Sequence, residues 1–166
     1  MWPQDIMDPA TDDFERRRPM KKIIILSGGF DPVHKGHVEM FKAASYMADD
    51  VVVGLNSDDW LTRKKGKPFM DFDERKFILE SIEYIDYVFG FDDSDDTACD
   101  VLRKVNQLYN TDTSVQVFFG NGGDRTDETT PEIKYCKQNG IGLLFGVGGG
   151  KIQSSSDLIA NANKEK

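Results

Sequence analysis

The hydrophobic positions of this chain fall into short continuous runs separated by longer amphipathic stretches. Five such runs are present: residues 22–27 (KIIILS), 51–55 (VVVGL), 87–91 (YVFGF), 115–119 (VQVFF) and 142–147 (GLLFGV). Runs of this length, without regular polar alternation, are typical of parallel strands that are covered on both faces. The pattern therefore predicts five buried strands.

The stretches between these runs have the features of helices. Helices are predicted over residues 36–48, 71–83 and 97–108, from Pro131 to about Gln138, and from Ser154 to Asn163. Because strands and helices alternate along the chain, we predict an α/β fold of the Rossmann-like kind, a doubly wound parallel five-stranded sheet with helices on both faces. Residues 20–166 would form this domain, and residues 1–19 a mobile N-terminal arm.

Composition narrows the class of partner. The formal net charge of −8 over 166 residues argues against a nucleic-acid coat, because no excess of cations is present to displace counterions. No apolar run approaches the roughly 20 residues of a membrane helix, and the N-terminal segment lacks the charge order of a secretory leader. The two cysteines are expected to be free thiols. We therefore expect a cytoplasmic protein that binds neither nucleic acid nor membrane.

The loop after the first strand, residues 27–37 (SGGFDPVHKGH), carries the clearest chemical signal. Gly28 and Gly29 would let a phosphate approach the backbone, directly before the start of a helix. His34 and His37 lie three residues apart, so both imidazoles can face the same ligand. A pair of surface histidines and a two-histidine metal site are the alternatives. Since only Asp31 is near as a further ligand, we prefer phosphate contact and expect no metal site.

Three other loops follow strands and carry polar or basic residues. These residues are Lys64 and Lys67 with nearby Arg75 after the second strand, Gly122, Gly123, Asp124 and Arg125 after the fourth, and Lys151, Ser154, Ser155 and Ser156 after the fifth. A solvated lysine loop, a glycine-rich turn and a serine-capped linker are the ordinary interpretations. The carboxyl ends of parallel strands share one edge of the sheet, so the three loops are instead expected to act together. The loop after the second strand is expected to form a lid, the one after the fourth a ribose or substrate site, and the one after the fifth a second phosphate clamp.

Several of these segments match known sequence signatures. GGFDPVHKGH at 28–37 resembles the HxGH signature of the nucleotidylyltransferase superfamily, and SSSDLI at 154–159 resembles its second signature. Residues 63–79 with YIDYV at 84–88 are similar to glycerol-3-phosphate cytidylyltransferases and to heptose-1-phosphate adenylyltransferases, and the GGD at 122–124 falls where both carry a related motif. The segment FDPVH is also similar to nicotinate-mononucleotide adenylyltransferases. The resemblance covers residues 21–160.

The resemblance implies a cytidylyltransferase-like reaction in which a substrate phosphate attacks the α-phosphate of a nucleoside triphosphate and pyrophosphate leaves. CTP with a small phosphorylated acceptor such as glycerol-3-phosphate is the leading expectation, and ATP with a heptose-type sugar phosphate is the alternative. A nucleotide-binding module without catalysis is the rival from another class. Mg²⁺ is expected to accompany the triphosphate, and a homodimer is compatible with the resemblance.

The resemblance also implies roles for individual residues. The catalytic set is His34, His37, Lys64 and Lys151. The nucleotide-binding set adds Gly28, Gly29, Phe30, Asp31, Gly36, Gly122, Gly123, Asp124, Ser154, Ser155 and Ser156, and the substrate-binding set is Lys64, Lys67, Arg75 and Arg125. One departure is clear: the arginine that cytidylyltransferases carry in the last loop is missing here, and only Lys151 stands near its position.

Overall fold

A parallel sheet organises the chain in the computed structural model, which describes residues 20–109, 111–122 and 130–149. Its strands are β1 (Lys21–Gly28), β2 (Asp50–Leu55), β3 (Tyr87–Gly90), β4 (Val115–Gly122) and β5 (Gly142–Val147). They lie in the order β3-β2-β1-β4-β5, and every neighbouring pair is parallel. All five predicted strands are confirmed. The chain builds outward from β1 to β3 and then returns to place β4 beside β1, so the direction of winding reverses between β1 and β4.

Helices cover both faces of this sheet. They are α1 (Lys35–Met47), α2 (Asp58–Lys65), α3 (Phe72–Glu80), α4 (Cys99–Tyr109) and α5 (Pro131–Asn139). Phe41 of α1 and Leu79 of α3 belong to the hydrophobic cluster on one face. Val101 of α4 and Cys136 of α5 belong to the cluster on the opposite face. The predicted doubly wound architecture is confirmed.

The continuous apolar run of β1 is explained by its central position. Ile24 and Leu26 enter the cluster beneath α1 and α3, whereas Ile23 and Ile25 enter the cluster beneath α4 and α5. All four side chains are at most 1% exposed. Successive strand residues point to opposite faces, so a strand covered on both sides needs apolar residues at every position.

Helix α2 was not predicted. Lys64 and Lys67 were predicted to lie in a loop, which is wrong for Lys64, because it lies in α2. The Ser57 hydroxyl oxygen accepts a hydrogen bond from the Trp60 amide at 3.1 Å, and Gly66 ends the helix with a φ of 89°. Acidic residues in the first turn and basic residues in the last turn favour the helix through its dipole.

Other boundaries differ by smaller amounts. The helix predicted over residues 71–83 begins after Asp71, which is the N-cap residue of α3, and it ends at Glu80. The predicted helix over residues 154–163 and the predicted N-terminal arm lie outside the described residues.

In the part of the chain that the structure describes, no helix has both the length and the apolar character needed to cross a membrane. Cys99 and Cys136 are free thiols, and burial raises the pKa of Cys136 to about 12.

Candidate active site

Two stacked histidines mark the start of α1, at the carboxyl edge of the sheet. His34 is the N-cap residue, and its Nδ1 accepts a hydrogen bond from the Gly36 amide at 3.1 Å. The His34 amide in turn donates to Nδ1 of His37 at 3.3 Å, and the ring centroids are 3.7 Å apart. Because Nδ1 of each ring is an acceptor, a neutral ring must carry its proton on Nε2. In each neutral ring, Nε2–H is therefore the remaining donor of the imidazole.

Gly36 explains the spacing of this motif. A Cβ atom at Gly36 would lie 3.1 Å from Cε1 and 3.2 Å from Nδ1 of His34, which is closer than side chains normally approach. A glycine between the two histidines therefore lets the His34 ring fold over the first turn of the helix. With a larger residue at Gly36, the His34 ring would have to shift by a few tenths of an ångström.

His37 stays neutral at physiological pH. Phe30 presses edge-on against its ring with centroids 4.9 Å apart, and Phe41 lies behind Phe30. Burial in this environment, with smaller contributions from His34 and from the charge of Lys65, lowers the pKa of His37 from 6.5 to about 3. At pH 7 His37 therefore acts as a hydrogen-bond donor through Nε2 and not as a cation.

Arg75 lies beneath the histidine loop and is fully buried. Its Nη1 donates to the carbonyl oxygens of Gly29 and Asn56 at 2.8 and 2.9 Å, and its Nε donates to the Met70 carbonyl at 3.0 Å. Its Nη2 contacts the Asp58 carboxylate at 2.7 Å. We had placed Arg75 among the substrate-binding residues. In the structure the buried guanidinium uses these donors to hold the surrounding loops together, and a contact between Arg75 and substrate stays a prediction.

Asp31 and Phe30 have side chains that contact the protein itself, and their predicted role in nucleotide binding stays a prediction. Asp31 is 1% exposed, and its carboxylate accepts hydrogen bonds from the amides of Phe69 and Met70, both at 2.7 Å. Phe30 is 5% exposed and supports the His37 ring. Both side chains thus face inward and fix the shape of the loop that carries the histidines.

A further pair of buried polar residues, Asn56 and Asp93, escaped the sequence analysis. The Asp93 carboxylate accepts hydrogen bonds from Asn56 Nδ2 at 3.0 Å, from the Ser57 amide at 2.8 Å and from the Ser57 hydroxyl at 2.7 Å. The Asn56 amide donates to the Gly28 carbonyl at 3.0 Å. One signal was available, since both residues closely follow strands. The acidic run around Asp93 is nevertheless typical of a solvated loop.

The basic residues of α2 point in different directions. Lys65, which was not predicted, donates from Nζ to the Asp31 carbonyl at 3.2 Å, and its charge reaches His37. Lys64, which was predicted, holds its Nζ 5.6 Å from the centre of the Trp60 ring. Lys67 is exposed in the segment between α2 and α3. The structure therefore brings Lys65, rather than Lys64, to the histidine loop.

The predicted glycines Gly28, Gly29 and Gly122 do lie at the carboxyl edge. Gly28 ends β1, Gly29 follows it, and Gly122 ends β4, where a Cβ atom would collide with the sulfur of Met40. The other predicted residues of this edge lie outside the described residues: Gly123, Asp124, Arg125, Lys151, Ser154, Ser155 and Ser156. The second phosphate clamp stays a prediction.

The chemistry of the described edge suits an anion better than a cation. The groups that meet at the histidine loop are N–H donors and the Lys65 ammonium, whereas the Asp31 carboxylate is already occupied by two backbone amides. Across residues 20–109, 111–122 and 130–149, no group of three or more His, Cys, Asp or Glu side chains is placed to hold a metal ion. Phosphate oxygens match this donor set.

The chain is similar in sequence to curated proteins. The chain is 37% identical over 119 residues to the bifunctional protein HldE of Syntrophotalea carbinolica, a match that spans 70% of this chain and 22% of that protein. It is 44% identical over 75 residues to HldE of Geobacter metallireducens, spanning 44% of this chain and 15% of that protein. The chain thus spans about a fifth of the length of these curated relatives.

Solved structures share the fold. A putative nicotinate-nucleotide adenylyltransferase from Vibrio parahaemolyticus aligns with a TM-score of 0.58 at 18% identity, covering 89% of this chain and 90% of that one. A bifunctional NMN adenylyltransferase/ADP ribose pyrophosphatase from Francisella tularensis, complexed with AMP and a manganese ion, aligns with a TM-score of 0.63 at 17% identity, covering 89% and 43%.

A family model matches the part of the chain from β1 to α5. The model of the family described as Cytidylyltransferase-like matches residues 25–135. This range contains the histidine pair, the buried polar residues that support it and the end of β4. The chain belongs to the cytidylyltransferase-like family of nucleotidyltransferases.

Proposed function

We propose that this protein transfers a nucleotidyl group from a nucleoside triphosphate to the phosphate of a small acceptor and releases pyrophosphate. The observation that carries the proposal is the His34–His37 pair, in which both Nδ1 atoms accept from backbone amides, so that a neutral ring carries its proton on Nε2. Imidazole donors at a helix N-terminus suit a phosphate group.

The reaction needs no covalent enzyme intermediate. An oxygen of the acceptor phosphate forms a bond to the α-phosphorus, and the bond from that phosphorus to the bridging oxygen of the β-phosphate breaks. Pyrophosphate departs with the electron pair. The protein positions the two reactants and stabilises negative charge as it grows on the transferred group. His34 and His37 donate to the α-phosphate and the leaving pyrophosphate, and Lys65 supplies a positive charge beside them.

The buried polar residues beneath the loop give this arrangement its rigidity. Arg75 and Asp31 bind backbone groups on both sides of the site, so the histidine loop needs no reorganisation when the substrate arrives. Preorganised donors of this kind stabilise a transition state more effectively than donors that must first rotate into place. Lys151 and the serines at 154–156 keep their predicted role as the clamp for the β- and γ-phosphates.

Mg²⁺ enters the proposal as the companion of the triphosphate. The described residues do not supply a set of carboxylate ligands for it, so the ion would be held mainly by phosphate oxygens and water. Bound in this way, Mg²⁺ neutralises phosphate charge. Cytoplasmic location and a homodimer likewise remain predictions.

For the substrates, we favour ATP and a sugar phosphate. This choice rests on the HldE relatives, which match up to 70% of the chain and were the alternative in the sequence analysis. CTP with a polyol phosphate such as glycerol-3-phosphate is the second candidate. One observation favours it, the match to the family model described as Cytidylyltransferase-like.

A crossed assay tests the proposal. Pyrophosphate release is measured with Mg²⁺ for ATP and CTP, each combined with glycerol-3-phosphate and with a panel of sugar phosphates that includes heptose phosphates. We expect release with ATP and a sugar phosphate, and chelation of Mg²⁺ with EDTA to abolish it. Release only with CTP and glycerol-3-phosphate would favour the second candidate. Nucleotide binding without release for any pair would favour the non-catalytic module.

A further inference from the structure

The end of β4 holds a buried amide without a hydrogen-bond partner. Asn121 is 5% exposed, and its side-chain Nδ2 is buried and makes no hydrogen bond among the described residues. Burying an amide without a partner costs folding free energy, and native proteins leave few such groups. A donor left in this state is a candidate for pairing with a ligand.

The fold satisfies its other buried asparagine in the described part of the chain. Asn56, which is 6% exposed, donates from Nδ2 to the Asp93 carboxylate at 3.0 Å. Glu132, another buried polar residue at the same edge of the sheet, accepts from the Ala98 amide at 3.1 Å. Asn56 and Glu132 are therefore paired within the described residues, whereas Nδ2 of Asn121 is not.

The direction of the Asn121 side chain follows from its neighbours. A Cβ atom at Gly120 would meet Leu26 and Ile24, and one at Gly122 would meet Met40 of α1. Both flanking positions thus face α1, and because successive strand residues alternate, Asn121 faces the side covered by α4 and α5. The Asn121 side chain and the histidine pair therefore lie on opposite sides of the sheet edge.

The register places Asn121 at the point where the winding of the sheet reverses. Ile25 of β1 pairs with Phe119 of β4 as the last residue pair of that register, and each strand continues beyond this pair, with Ser27 and Asn121 two residues further along. Adjacent strands are about 4.8 Å apart, and Ser27 directly precedes the glycines of the histidine loop. Ligands of open α/β sheets bind in this crevice. A nucleotide whose phosphates contact the histidines would extend across β1 toward Asn121.

We propose that Asn121 donates from Nδ2 to the nucleoside part of the bound nucleotide, that is, to an acceptor atom of its base or ribose. The inference rests on the proposed function, because it takes the ligand to be a nucleoside triphosphate. The phosphates belong on the other side, where His34, His37 and Lys65 lie. An uncharged amide on the same face as the Glu132 carboxylate suits a neutral nucleoside better than a phosphate.

Calorimetric titrations of wild type and Asn121→Leu separate the two parts of the ligand. The probes are ATP, CTP and inorganic tripolyphosphate, each with Mg²⁺. We expect Asn121→Leu to bind both nucleotides about tenfold more weakly, because the variant loses one hydrogen bond and leaves a buried acceptor of the nucleotide unpaired. We expect it to bind tripolyphosphate as wild type does. Asn121→Ala, which only removes atoms, repeats the comparison if the leucine variant folds poorly.

Thermal unfolding without nucleotide supplies the matched control. Because the Asn121 amide has no partner to lose among the described residues, Asn121→Leu should keep or raise Tm, whereas Asn56→Leu should lower it. The inference is overturned if the Asn121 variants bind nucleotides as wild type does, or if their nucleotide and tripolyphosphate affinities fall equally. A wild-type protein that binds tripolyphosphate but no nucleotide also overturns it. Failure of wild type to bind any probe would instead refute the proposed function.

Discussion

The carboxyl edge of the sheet has two halves that treat buried polar groups differently. On the side of β1, β2 and β3, the side chains of Asp31, Asn56, Arg75 and Asp93 are buried and hydrogen-bonded to the chain itself. On the side of β4 and β5, the buried Glu132 is also paired, but Nδ2 of Asn121 has no partner among the described residues, and the pairing of the two strands shifts register between Gly120 and Gly122.

We infer from this difference that one half of the edge positions the histidines and the other half recognises the nucleotide. The first half closes its hydrogen bonds internally and so fixes the histidines where charge develops during the reaction. The second half, as far as the structure describes it, leaves a donor for a ligand to satisfy. We therefore expect substitutions in the first half to change stability or turnover, and substitutions in the second half to change nucleotide affinity.

The largest effect should follow from breaking the first half at Arg75. Arg75→Met removes the donor to three backbone carbonyls, those of Gly29, Asn56 and Met70. At about 1 kcal/mol for each unpaired carbonyl, we expect the free energy of unfolding to fall by about 3 kcal/mol in urea denaturation. Asp58→Asn, which affects only the half-exposed end of the ion pair, should cost less than about 1 kcal/mol. Equal stability of Arg75→Met and wild type would contradict the supporting role.

His37→Ala should have the next largest effect, on turnover rather than folding. Removing one preorganised donor to a developing charge commonly lowers kcat by about 10²- to 10³-fold, and we expect a loss in this range. Circular dichroism and Tm without substrate check that the variant folds. Near-wild-type turnover would remove the histidine pair from the mechanism. The contrast with Asn121→Leu is informative, because that variant should raise the KM for nucleotide far more than it lowers kcat.

The sheet was predicted well from the sequence because each buried strand shows itself in a short local run of apolar residues. An unbroken apolar run such as residues 23–26 is typical of a strand buried on both faces, and all four of its side chains are indeed buried. Helix α2 was missed although Ser57 and Gly66 are ordinary helix-boundary residues, because its eight residues bury only one side chain, that of Leu61, and show no apolar stripe. A short polar helix looks like a loop when periodicity is the criterion.

The candidate site was predicted from residue types, and a residue type alone does not show in which direction its side chain points. Arg75 and Asp31 are charged residues near strand ends, so they looked like ligands for a substrate; only their burial shows that they bind the protein itself. Lys64 and Lys65 are neighbours on a helix, where successive side chains point about 100° apart. Which of the two reaches the histidine loop depends on how α2 packs, and that is not written in the local sequence.

The smallest expected effect concerns the difference between Lys64 and Lys65. Burial is the main cause that holds the pKa of His37 near 3, and the charge of Lys65 is the weakest of the named causes. Lys65→Met removes a positive charge that disfavours the imidazolium, so the pKa of His37 should rise by a fraction of a unit. Lys64→Met should leave it unchanged, because that ammonium is directed to Trp60. Histidine resonances followed by NMR during acid titration measure both values.

The sign of the pH dependence gives an independent check. Between pH 6.5 and about 3 the unfolded chain protonates His37 while the folded chain does not, so stability due to this residue is lost as the pH falls through that window. With a higher folded-state pKa, Lys65→Met should lose less stability than wild type over the same acidification, as urea unfolding at several pH values would show. A larger loss in Lys65→Met, or the same pKa shift in Lys64→Met, would mean that Lys65 is not the cation beside the histidines. The first half of the edge would then hold its phosphate with the imidazoles and the helix N-terminus alone.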